Sequence, residues 1–85
     1  MMETYPGLKQ GHLVAKVEND GDVVELEDGA RFKVYSGFHP VSAGWQPEHM
    51  IKVKDNPKNP EHPYKLINIH CNEEVEVRWL ANSSS

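Results

Sequence analysis

Apolar and polar residues alternate in short runs along most of this chain, and the alternation predicts six strands. The clearest pair is Val23–Glu27 and Ala30–Tyr35, which flank Asp28-Gly29. Asp-Gly between alternating runs is the strongest local hairpin signal, because a type I′ turn needs positive φ at both central positions. The pairing is expected to turn Val24, Leu26, Phe32 and Val34 inward and Arg31, Lys33 and Tyr35 outward. Ahead of it, His12–Asn19 reads as a strand with Leu13, Ala15 and Val17 on one face. His12, Lys16 and Glu18 fall on the other, with Val14 as an apolar exception. Asn19-Asp20-Gly21-Asp22 reads as a turn. Later strands are expected at Met50–Asp55 (Ile51 and Val53 inward), Tyr64–Ile69 and Val75–Leu80 (Val75, Val77 and Trp79 aligned). Tyr64–Ile69 is apolar on both sides, which suits a strand covered on both faces.

Two irregular stretches interrupt the alternation. Residues 36–49 carry Gly37, Pro40, Gly44 and Pro47, which break a full helix, yet also hold Phe38 and Trp45. Residues 56–63 hold three prolines, which remove three ladder donors. Residues 1–11 lack a sustained period and read as a flexible arm; residues 81–85 read as a disordered tail. Residues 12–80 then form one all-β domain, a small barrel of five to six antiparallel strands. An SH3-like barrel is preferred to an OB-like one, because the OB arrangement usually carries a helix between two strands and residues 36–49 form a poor helix.

Composition narrows the function classes. The chain has 85 residues and a net charge of −4, which weighs against nucleic acid and anionic membrane surfaces, both of which call for a concentrated basic face. Glu18, Asp20, Asp22, Glu25, Glu27 and Asp28 follow one another with no Lys or Arg between them, and are expected to form a solvated acidic face. No run approaches the roughly 20 apolar residues of a membrane span. A single cysteine, Cys71, excludes an intrachain disulfide and fits a reducing compartment. No basic start followed by an apolar run is visible, so the expected location is cytoplasmic, or periplasmic if a signal peptide has been removed.

Candidate chemistry is sparse. His62, His70 and Cys71 could be combined as metal ligands, but the close pairing of ligands in familiar zinc spacings is missing. With Lys16 as position one, Glu18, Asp20, Gly21 and Glu27 fall on EF-hand positions, yet lysine replaces the essential first acid and the flanks read as strands. Ser36, Ser42 and His39 share a loop without a nucleophile elbow. Cys71 is followed by Glu73 and Glu74, which disfavour a thiolate. Hence no cofactor, metal or catalytic residue is expected, and the protein is read as a non-enzyme. The remaining candidates are Tyr35, Phe38, Trp45 and Tyr64, an aromatic set at the loops of the kind that holds an extended peptide.

Asp28-Gly29-x-x-Phe32, Trp45, Ile51-x-Val53, Tyr64-x-Leu66-Ile67-Asn68 and Val75-x-Val77-x-Trp79-Leu80 together resemble small uncharacterised bacterial proteins with SH3-like β-barrels, some of them exported. The resemblance spans most of Leu13–Leu80 and implies a fold without assigning site residues. The chain departs from eukaryotic SH3 signalling domains in lacking their acidic, Tyr-rich first strand and paired tryptophans. The expected function is a protein- or peptide-interaction module using the aromatic loop 36–49. The alternatives are a homo-oligomeric assembly protein, with Val14, Val23, Tyr35 and Leu66 as its outward apolar patch, and a small metal-binding protein or enzyme subunit.

Overall fold

The computed structural model describes Tyr5 and residues 10–82, the last two as backbone only. Six strands form: β1 (Gly11–Glu18), β2 (Val23–Leu26), β3 (Ala30–Val34), β4 (Met50–Asp55), β5 (Tyr64–Asn68) and β6 (Glu73–Asn82). They close into an antiparallel barrel in the order β1-β2-β3-β6-β5-β4. The expected all-β small barrel is therefore what the chain forms. Residues 11–13 of β1 pair with β4 and residues 14–18 pair with β2, so this one strand turns the corner that closes the ring. Closure removes most of the exposed strand edge that six short strands would otherwise present.

The inward faces of five strands follow the alternation. Val24, Leu26, Phe32, Val34, Ile51, Val53, Leu66, Val75 and Val77 are all buried. In β1 the faces are exchanged: His12 and Val14 are buried and Leu13 is exposed. The cause is a bulge, since Val14 pairs with Leu26 while Lys16 pairs with Glu25, two steps along β1 against one along β2. An extra residue inverts which side chains point inward on either side of it. The expected outward patch is corrected as well. Val14, Val23 and Leu66 are all buried, and only Tyr35 of that set is exposed.

The β2–β3 hairpin forms where expected, with a different turn. Gly29 has φ 89°, while Asp28 is outside the left-handed region. The amide of Gly29 donates to the Leu26 carbonyl at 3.0 Å. This is a three-residue loop of a type I turn followed by a left-handed glycine. The β3–β4 connection contains a 3₁₀ turn at Ser36–Phe38 and one helical turn, α1 (His39–Ser42). A helical turn thus lies between strands, the feature of the OB-like alternative, although the ring here has six strands and is closed.

Both ends of the expected 12–80 domain extend. Most of the expected arm (residues 1–4 and 6–9) and residues 83–85 of the expected tail lie outside the described residues. Tyr5, however, is 2% exposed and belongs to the core. The last strand runs to Asn82, which pairs with Ala30.

Gly21 joins the Asn19–Gly21 turn to α1. Its φ is +99°, and a Cβ there would stand 2.3 Å from the His39 carbonyl oxygen and 2.7 Å from the Ala43 nitrogen. A Cβ on Gly29 would meet nothing within 4 Å. Gly29→Ala is therefore expected to cost only the left-handed backbone term, about 1–2 kcal/mol. Gly21→Ala adds a backbone collision and is expected to cost about 3 kcal/mol or more. Urea unfolding of the two variants checks the ordering.

Candidate functional site

The β5–β6 pairing ends at Tyr64↔Val77. From Arg78 onward β6 pairs, among the described residues, with β3 alone, through Lys33↔Arg78, Phe32↔Trp79 and Ala30↔Asn82. A groove of about 910 Å³ opens along this stretch. Its walls are Lys33–Ser36 of β3 and its exit, Asp55 and residues 60–64, and Arg78–Leu80 of β6, with Asp22 and His39 at one end. That volume lies within the usual range for ligand sites. The proline-rich loop forms one wall because its ends and middle are fastened. The Asn56 amide donates to the Pro63 carbonyl at 2.7 Å. Asn56 Nδ2 donates to the His62 carbonyl at 3.0 Å and Asn59 Nδ2 donates to Glu76 Oε1 at 2.8 Å.

Two of the four expected site residues line this groove. Tyr35 is 45% exposed and its ring lies 4.9 Å from that of His62. Tyr64 lines the groove from the barrel side. Phe38 is half-buried behind Tyr35, at a ring distance of 6.1 Å. Trp45 is elsewhere: it is buried in the core and its Nε1 donates to Glu73 Oε1 at 3.0 Å. The groove accordingly lies between β3, β6 and loop 56–63, with Ser36 and His39 of loop 36–49 also on its lining. His39, His62, Arg78 and Trp79 also line it and were not among the expected site residues. Trp79 Nε1 and His62 Nδ1 are buried nitrogens with no hydrogen-bond partner among the described residues.

Charge in the groove is unevenly balanced. Lys33 Nζ is 2.8 Å from Asp22 Oδ2, and His39 Nε2 donates towards Asp22 Oδ1 at 3.1 Å and the Val34 carbonyl at 3.0 Å. The hydrogen bond from Lys33 is the main cause holding the Asp22 carboxyl below the usual range, against a smaller opposing effect of burial. Arg78, directly opposite Lys33, has no ion pair among the described residues. Beyond the groove, hydrogen bonds from Lys16 and then Arg31 lower Glu18. The acidic run is thus partly neutralised by strand neighbours rather than left as a bare acidic face.

The other polar groups gather in two places. His62 and His70 sit beyond opposite ends of β5, about 17 Å of strand apart, so His62, His70 and Cys71 do not converge. Instead His70 stacks on His49 at a ring distance of 4.4 Å, with Cys71 Sγ 3.9 Å from His49 Nδ1. Ser42 Oγ donates to the Gly21 carbonyl at 2.7 Å, so it serves the fold rather than a His39 pair. At the other end of the barrel His12 Nδ1 lies 3.7 Å from Glu27 Oε1 and 3.6 Å from Asp28 Oδ2. Among the described residues, this is the group of side chains close enough to hold a metal ion.

A lowered carboxyl stabilises the fold above its unfolded value and loses that contribution as pH falls through the lower folded value. Asp22→Asn is therefore expected to melt below wild type at pH 7, with the gap closing as pH falls below the ordinary Asp value of about 3.9. Melting curves across that window check the sign. No family model, curated protein or solved structure matches this chain.

Proposed function

We propose that this protein is a non-enzymatic binding module that takes an extended peptide segment of a partner into the groove beside β6. The observation that carries the reading is the coincidence of the groove with the length of β6 that, among the described residues, pairs with β3 alone. A sheet edge offers backbone donors and acceptors to an added strand, and flanking pockets supply selectivity. Tyr35 and His62 form a tilted ring pair, 4.9 Å apart, against which an aromatic or proline side chain can lie. Arg78 can receive a carboxylate, since Lys33 beside it is already neutralised by Asp22. Small ring rotations would let a bound chain satisfy Trp79 Nε1 and His62 Nδ1, each costly while buried and unmet.

A displayed library of random 12-residue peptides, panned on the full chain, tests this reading. Enriched peptides are expected to carry an acidic residue and to lose at least tenfold in affinity, about 1.4 kcal/mol, on Tyr35→Ala and on Arg78→Glu. Both side chains are exposed, so the variants should fold. A library that yields no enrichment, or peptides that bind both variants as tightly as wild type, would contradict it.

A second reading, self-association, is supported by a different surface. Leu13 and Met50 are cross-strand neighbours, and the Ile69 amide donates to the Met50 carbonyl at 3.1 Å. All three side chains are exposed, and they replace the patch expected from the alternation. Sedimentation velocity would show a dimer that Met50→Lys converts to monomer; a monomeric wild type at high concentration would remove the reading.

A further inference from the structure

The strongest side-chain cluster outside the groove joins the start of β1 to the β2–β3 turn. His12 is 7% exposed and directs Nδ1 towards Glu27 Oε1 and Asp28 Oδ2. Each carboxylate is held by a backbone amide on its other oxygen: the Leu13 amide donates to Glu27 Oε2 at 3.0 Å, and the Ala30 amide to Asp28 Oδ1 at 3.0 Å. The oxygens facing the imidazole are thereby aimed by the main chain of two different strands.

The imidazole is oriented from its other side. Tyr5 Oη lies 3.3 Å from His12 Nε2 and donates its proton to Asp28 Oδ2. A hydroxyl has one proton to give. With it committed to Asp28, the contact with His12 is made by Nε2–H donating to the Tyr5 oxygen, and the Nδ1 edge of the ring faces the two carboxylates. An outer hydrogen bond that fixes the tautomer and aim of a metal-binding histidine is a recurrent feature of metal sites.

We propose that His12 Nδ1, Glu27 Oε1 and Asp28 Oδ2 form a three-ligand site for a divalent first-row transition metal ion, with zinc the best fit. One imidazole and two carboxylates are a nitrogen–oxygen donor set suited to zinc, manganese or ferrous iron rather than to thiolate-seeking ions. Zinc bonds of about 2.0–2.2 Å at tetrahedral angles place neighbouring donors about 3.4 Å apart. The two distances from Nδ1, 3.7 and 3.6 Å, require closure of only a few tenths of an ångström. Asp28 Oδ2 has lone pairs for both the Tyr5 proton and a metal bond. The remaining coordination positions face the exposed side, where Glu27 is 48% exposed, and would be filled by water.

The test is calorimetric titration of ZnCl2, with MnCl2 in parallel, into the full chain after treatment with a chelator. Wild type is expected to bind one zinc per chain and to melt at a higher temperature with zinc present, by mass action on the folded state. Glu27→Gln keeps an oxygen for the Leu13 amide, so it should fold as wild type and bind at least tenfold more weakly. His12→Gln is expected to bind more weakly still, and the ¹⁵N shift of His12 Nδ1 should move on zinc addition to wild type. His70→Ala, which alters the stacked pair at the opposite end of β5, is expected to leave zinc affinity unchanged. No saturable binding of either ion at millimolar concentration, or zinc binding that survives Glu27→Gln and is lost in His70→Ala, would overturn the proposal.

Discussion

The ring of Tyr5 is the contact on which the remainder of this small barrel depends. It lies edge-on to Phe32 at 5.1 Å, to Trp79 at 5.5 Å and to Tyr64 at 6.5 Å, and tilted against His12 at 5.8 Å. These four side chains come from β1, β3, β5 and β6, so one ring from outside the strands fills the end of the barrel. Edge-to-face pairs contribute about 0.5–1.5 kcal/mol beyond the area they bury. A domain of this length has little core to spare. The polar atoms of Tyr5 are fixed as firmly as the ring: its amide donates to Tyr64 Oη at 2.9 Å and its hydroxyl to Asp28.

Both candidate sites adjoin that ring. Trp79 and Tyr64, which it packs against, form the inner wall of the groove, so the width of the opening beside β6 follows from how the barrel end is filled. On the other side the hydroxyl sets the orientation of the His12 ring and holds Asp28. A change at Tyr5 would therefore be felt in both places, through packing in one and through hydrogen bonding in the other. The charged groups around β2 and β3 are more local: Glu18 of β1 pairs with Arg31 of β3 across β2, and Asp22 pairs with Lys33, near the surface, where such pairs contribute little.

Much of the barrel was legible in the order of residues because a period of two is a direct imprint of a half-buried strand. Phe32, Val34, Ile51, Val53, Val75 and Val77 all point where the alternation places them. It fails at β1, because a bulge inserts one residue, and nothing in Leu13-Val14-Ala15-Lys16 marks its position. The same bulge hid His12: assigned to the outer face, it is among the most buried polar residues and the centre of the acidic cluster. Tyr5 was unreadable for another reason, since an isolated aromatic beside Pro6 and Gly7 carries no periodic signal. Tyr35 and Tyr64 could be picked out as aromatic residues beside loops. Trp45 could not be separated from them, because exposure at a loop depends on which element the loop packs against. Arg78 and His62 gain their setting from where β5 stops pairing with β6, a tertiary fact that no local motif encodes.

The central claim is that Tyr5 closes the barrel end and orients the cluster beside it. Chemical unfolding of wild type, Tyr5→Phe and Tyr5→Ala tests it most directly. Loss of the ring is expected to lower the unfolding free energy by about 3–5 kcal/mol, a large share of the roughly 5–15 kcal/mol available to a domain. Tyr5→Phe keeps the ring contacts and is expected to lose only about 1–3 kcal/mol, the cost of leaving the Asp28 and His12 partners without the hydroxyl. A Tyr5→Ala protein that unfolds at the same denaturant concentration as wild type would contradict the account.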